Sequence, residues 1–146
     1  MRFLLAALLV TFPLFAAAAV PDVKATLRNA QGKTIGFATL TAAAGGVRVI
    51  VKVNGMAPGL HAFQVHSIGK CEAPFFVTAG GREQGVLNQD VTELAVDAAG
   101  TAMGEFDLHD VTLQAGPGSL FPEGSKAFVI QSAGARVACG VIERKG

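Results

Sequence analysis

Residues 47 to 53 read VRVIVKV, and this heptad constrains the fold more than any other stretch. Val47, Val49, Val51 and Val53 fall on one face of an extended strand, Arg48, Ile50 and Lys52 on the other, because side chains alternate with a period of two. β-branched residues at every second position favour a pleated surface with one side buried. Val23, Ala25 and Leu27 alternate in the same way with Lys24, Thr26 and Arg28. Turn-forming clusters follow at short intervals: Asn29 to Gly32, Ala44 to Gly46, Asn54-Gly55, Ala98 to Gly100 and Pro122 to Gly124. Short strands punctuated this often predict an all-β sandwich or barrel. Val47, Val49, Val51, Phe63, Val65 and Val129 are expected to point inward. The longest irregular stretch, from Lys70 to about Asn88, carries Pro74, Gly80, Gly81 and Gly85. A loop of that length in a compact domain is expected to be functional or anchored.

Residues 1–19 look like a targeting segment rather than part of the fold. Arg2 supplies a positive start, Phe3 to Phe15 an apolar run, and Ala17-Ala18-Ala19 a small-residue cleavage site. The run is interrupted by Pro13 and is shorter than the roughly 20 apolar residues of a membrane span. The expectation is a signal peptide over 1–19 and one domain over 20–146, exported to a periplasm or secreted, with no membrane attachment after cleavage. The overall 51% hydrophobic content is raised by this leader.

Cys71 and Cys139 both lie in the exported part, and an even pair in an oxidising compartment favours a disulfide. Redox-active thiols are the weaker reading, since C-x-x-C spacing is missing. Closing a loop of about 70 residues stabilises a chain by about 4 kcal/mol in the chain-entropy model. Net charge is +1 with no basic run, and there is neither Trp nor Tyr. Composition therefore gives no basis for nucleic-acid binding.

Two segments carry a family resemblance: GLHAFQVHSIGKC at Gly59 to Cys71 and GARVACGVI at Gly134 to Ile142. They resemble the signature segments of copper/zinc superoxide dismutases. The likeness extends to the opening hairpin, the Ala79-Gly80-Gly81 step, VDAAGT from Val96 and GSKAFVIQ from Gly124. It implies an eight-stranded antiparallel Greek-key β-barrel, related to immunoglobulin-like sandwiches, with the metal site on the outer face. It also maps the family's disulfide onto Cys71 and Cys139, and its active-site arginine onto Arg136.

The family's first segment runs G-L-H-G-F-H-V-H, whose last two histidines bind copper. Here those positions are Gln64 and His66. By alternation Gln64 and His66 face outward together while Phe63 and Val65 face the barrel. The family's bridging histidine follows the Gly-Gly step, where this chain has Arg82; its remaining copper histidine ends a V-I-H strand, where this chain has Gln131. Most of the loop that carries the zinc ligands is missing between Arg82 and Asp90, and no histidine occurs between His66 and His109. A carboxamide oxygen is a hard, neutral donor that substitutes poorly for imidazole at copper. A permanent guanidinium cation is worse.

The resemblance thus implies copper and zinc, while the residues lead us to expect neither as a cofactor. His66 is the one surviving copper-ligand position, expected to serve as a hydrogen-bonded residue. His61 is expected to pack and tie backbone at the barrel base. His109, in Asp107-Leu108-His109-Asp110, is expected in a solvated loop, an adventitious metal site being the lesser reading. In active members the residue at the position of Arg136 attracts superoxide and braces the disulfide loop; bracing is the role expected to survive. Arg82, Gln64 and Gln131 are expected to gather around His66 as a polar cluster, open to a protein or small-anion partner. The leading functional reading is a non-catalytic binding or structural domain with a dismantled site. The alternatives are an active dismutase converting superoxide to oxygen and hydrogen peroxide, or a copper-handling protein using His66 and other ligands.

Overall fold

In the computed structural model, the structure describes residues 12–14, 22–83, 92–121 and 124–145. Most of the expected leader and the segment 84–91, which includes the end of the long loop, lie outside the described residues. Eight strands form: β1 (Asp22–Asn29), β2 (Thr34–Ala43), β3 (Gly46–Val53), β4 (Gly59–His66), β5 (Thr92–Val96), β6 (Ala102–His109), β7 (Ala127–Ser132) and β8 (Ala135–Lys145). A 3₁₀ turn at Val77–Ala79 lies within the long loop.

The strands form one antiparallel sheet in the order β5-β4-β7-β8-β1-β2-β3-β6. The first three strands form a meander, and the connections from β3 to β4 and from β6 to β7 cross to non-adjacent positions. This is the expected Greek-key barrel. β5 and β6 lie at the two ends of the strand order and meet at the seam. The turn between them is tied by Asp97, whose Oδ1 accepts from the backbone N–H groups of Ala99 and Thr101, each at 2.9 Å.

Period-two patterning decides which faces are buried. Val47, Val49, Val51 and Val53 are all buried, as are Val23, Ala25 and Leu27. A one-residue slip of β3 would move its four valines to solvent, each costing about 1.5–3 kcal/mol. Inside the barrel, Phe63 stacks on Phe106 at 5.4 Å and on Phe128 at 4.7 Å between ring centroids. Gly104 makes room at the seam: a Cβ there would lie 2.6 Å from the Phe106 ring and 3.0 Å from Leu94.

One inward assignment is corrected. Val129 is fully buried, but on the outside of the barrel. It is the register partner of Gln64 on β4 and of Cys139 on β8, and it packs with Phe76, Ala79 and Ala127 in a second, smaller core. Its neighbours Phe128 and Ile130 are the inward residues of β7. β7 is apolar on both faces because the long loop folds back over its outer side.

Candidate functional site

The outer face of β4, β7 and β8 carries most of the residues singled out above. Cross-strand pairing places Gln64, Val129 and Cys139 in one row. Ala62, Gln131 and Arg136 make up the next row, and His66 and Ala127 pair on the opposite side. The loop over 67–83 lies on these rows. It is clasped by the Cys71–Cys139 disulfide, whose Cα atoms are 5.6 Å apart, and by Phe76, only 1% exposed. The expected pairing of the two cysteines is therefore present.

Arg136 holds the loop from beneath. Its Nη1 donates to the Phe76 carbonyl and its Nη2 to the Gly80 carbonyl, both at 2.7 Å. These are charge-assisted bonds from a planar fork to two fixed acceptors, a geometry suited to guanidinium. Gly80 has φ of 73°, and a Cβ there would sit 2.9 Å from the Ser67 hydroxyl, so this position suits glycine. The loop's return to the barrel is completed by Ser67 N–H to Gly81 O at 3.0 Å, a bridge between His66 and Arg82, and Glu83 N–H to Val65 O at 2.9 Å. A largely buried ion pair follows, Lys126 Nζ to Glu83 Oε2 at 2.9 Å.

His66 faces outward from the barrel yet is only 1% exposed, since the loop covers it. Its Nδ1 lies 2.9 Å from the same Gly80 carbonyl that Arg136 uses, and its Nε2 lies 3.3 Å from Gln64 Oε1. A carbonyl only accepts, so Nδ1 carries the hydrogen. Burial pushes the His66 pKa down; the Gly80 hydrogen bond works against this, while Arg136 and Arg82 add to the lowering. The ring is thus held neutral, and Nε2 presents a lone pair. Amide oxygen and nitrogen exchange places by a flip of the carboxamide, and a neutral Nε2 requires the Gln64 NH₂ group opposite it.

The structure brings Gln64, His66 and Arg136 together. Gln131 pairs in register with Arg136 on the same face. Arg82 meets His66 through its backbone, while its side chain is exposed. His61 points inward, as expected, and its Nε2 donates to the Ala57 carbonyl at 2.7 Å. His109, expected in a solvated loop, instead ends strand β6, exposed and opposite Gly46 of β3, and does not share the His66 face. Beside it Arg48 pairs with Asp107 at 2.9 Å and holds that carboxyl below its usual pKa. Among the described residues, no group of three or more His, Cys, Asp or Glu side chains is placed so that it could hold a metal ion. Phe76 and the Gly80 carbonyl were not singled out from sequence; the one available signal was the Gly80-Gly81 step.

A family profile described as copper/zinc superoxide dismutase (SODC) matches residues 34–142. Superoxide dismutase [Cu-Zn] 2 of Aquifex aeolicus is 34% identical, over 83% of this chain and 87% of that protein. A superoxide dismutase [Cu-Zn] of Caulobacter vibrioides is 33% identical, over 82% and 84% respectively. Among solved structures, a double mutant of a SOD-like protein from Bacillus subtilis, with two residues replaced by histidine, superposes with a TM-score of 0.72. It is 27% identical, over 82% of this chain and 95% of that one.

Proposed function

Because the chain belongs to the copper/zinc superoxide dismutase family, we propose that it is an exported member whose metal site is dismantled and whose role is binding or structural rather than catalytic. The observation that carries this reading is the engagement of His66. Its Nδ1 is committed to the Gly80 carbonyl and its Nε2 faces Gln64. The family implies copper and zinc, but the donors near His66 do not fit them. The positions are held by one imidazole, two carboxamides and an arginine, whereas a redox copper site draws on several imidazoles. Arg82 and Arg136 also depress the His66 pKa, so the local field opposes a cation.

Export is supported by the leader-like residues 1–19 and fits a periplasmic or secreted protein with a disulfide. The flanking guanidiniums make a small anion the first ligand to test at this face, beside a protein partner.

The test is metal content and dismutase activity of the purified protein supplied with copper and zinc. It is run beside the triple variant Gln64→His, Arg82→His, Gln131→His. The unmodified protein is expected to retain no stoichiometric copper and to show no copper-dependent dismutation, while the triple variant gains copper affinity. Robust copper-dependent activity in the unmodified protein overturns the reading.

A further inference from the structure

Asn54 and Gly55 form the bend that follows β3, and both are exposed. The backbone on either side is pinned. The Asn54 N–H donates to the Ile35 carbonyl at 2.8 Å, and the Met56 N–H to the Gly100 carbonyl at 3.2 Å. Between these pins the Gly55 N–H has no hydrogen-bond partner among the described residues, and neither has the Asn54 carboxamide. Gly55 has φ of 70°, and a Cβ built there would meet nothing within 4 Å, so the space beside its nitrogen is open. A nucleophile and the carbonyl it can attack are thus adjacent in sequence, exposed and unengaged. Asn29 is the contrast. Its Oδ1 accepts from the backbone N–H groups of Gln31 at 3.1 Å and Lys33 at 3.0 Å, and the residue after it, Ala30, carries a Cβ.

We propose that Asn54 is a site of spontaneous covalent modification, converting to aspartyl and isoaspartyl residues through a succinimide closed by the Gly55 nitrogen. The Gly55 N–H gives its proton to solvent, the bond from its nitrogen to Asn54 Cγ forms, and the Cγ–Nδ2 bond breaks with release of ammonia. Placing both groups on neighbouring residues makes this attack intramolecular. Water then opens the ring. Cleavage between the Gly55 nitrogen and Cγ leaves an ordinary aspartate. Cleavage between that nitrogen and the main-chain carbonyl carbon leaves a chain that runs through Cβ and Cγ. The balance is one water consumed and one ammonia released, with no oxidant or reductant. Both products add a negative charge at neutral pH. The isoaspartyl product also inserts a carbon, about 1.5 Å of extra path, between the two pins, so the bonds to Ile35 and Gly100 cannot both keep their geometry. Met56, which packs against the barrel core, is the residue this releases.

The test is incubation of the purified, folded protein at physiological temperature, followed by peptide mapping with fragmentation that separates isoaspartate from aspartate. Asn54 is expected to convert about tenfold or more faster than Asn29, with isoaspartate the major product. An acidic species should grow on ion exchange at the same rate. It should be absent from Asn54→Gln, whose longer side chain closes its ring far more slowly. The isolated isoaspartyl form should show faster amide exchange at Met56 than the unmodified protein. Freshly prepared Asn54→Asp adds the charge without the extra carbon and should not. Three results would overturn the proposal: equal rates at Asn54 and Asn29, aspartate formed without isoaspartate, or conversion in the urea-unfolded chain with none in the folded protein. The last would show that the native bend protects Asn54 instead of presenting it.

Discussion

Arg136 and His66 share one acceptor: the Gly80 carbonyl takes a hydrogen bond from Arg136 Nη2 at 2.7 Å and another from His66 Nδ1 at 2.9 Å. The two donors come from β8 and β4, with β7 between them. The carbonyl therefore pins the loop over 67–83 to both outer strands of a three-strand face, and each residue's contribution depends on the other keeping the carbonyl in place.

Replacing Arg136 tests the brace. Arg136→Lys keeps the charge but cannot fork to two carbonyls, and Arg136→Ala removes both bonds. Hydrogen bonds from a charged donor contribute about 1.5–3 kcal/mol each. Arg136 is only half-buried, so we expect a total loss of about 2–3 kcal/mol for the alanine variant, and nearly as much for lysine. Urea unfolding measures it. Full stability in Arg136→Lys would show that charge, not the fork, is what holds the loop.

The disulfide makes a separate prediction. The native, non-reduced protein should present no titratable thiol, and Cys71→Ser with Cys139→Ser should cost about 4 kcal/mol in the chain-entropy model. Amide exchange in the double variant should rise first over 71–83, before the strands respond. Uniform acceleration across the barrel would contradict this order.

Phe76 is the apolar anchor of the second core. Phe76→Ala should destabilise by about 3–5 kcal/mol, the usual range for deleting a buried phenyl ring, and should increase solvent access to His66. A hydrogen-exchange map and the rate of His66 modification by diethyl pyrocarbonate read the two effects. A change in stability below about 1 kcal/mol would mean the ring is not buried in solution.

The lowered pKa of His66 gives stability a definite pH dependence. In the unfolded chain the imidazole titrates near its ordinary 6.5, and in the native state lower, mainly through burial. Between those values the unfolded state binds more protons. Stability is thus fully present above about 6.5 and is lost as pH falls through that window. His66→Phe should remove this component of the slope. Gln64→Glu, which sets a carboxylate against Nε2, should raise the His66 pKa and move the loss to the opposite side of the window. NMR of the unmodified protein should find Nδ1 protonated at neutral pH; an Nε2–H tautomer would contradict the proposed Gln64 orientation.

Sequence reading succeeded where one periodicity governs. β3 alternates buried valine with outward Arg48, Ile50 and Lys52, so its register is written in the chain, and the outward positions of Gln64 and His66 followed from Phe63 and Val65 between them. It failed on Val129 for a physical reason. The stretch AFVIQ of β7 is apolar on both faces, because one side lines the barrel and the other lies under the loop, and a continuous apolar run carries no parity. The contacts that hold the site were legible only in part. Arg136 was identified as a brace through family resemblance, but its acceptors are backbone carbonyls, which leave no trace in residue identity. Phe76 was hidden in an irregular segment where one aromatic residue gives no pattern.

The seam between β5 and β6 has a consequence for how the barrel fails. Seven antiparallel ladders join eight strands, so the sheet is a rolled strip whose two margins are held together by side chains, with Gly104 admitting the Phe106 ring beside Leu94. The strip can flatten along that line while every ladder survives. Flattening bares two rows of unpaired N–H and C=O groups, each a template for a strand of another molecule. Under stress, intermolecular strand addition should therefore begin at Thr92–Val96 and Ala102–His109, and a charged residue turned inward at this margin would protect the protein from it more effectively than any change on the covered side.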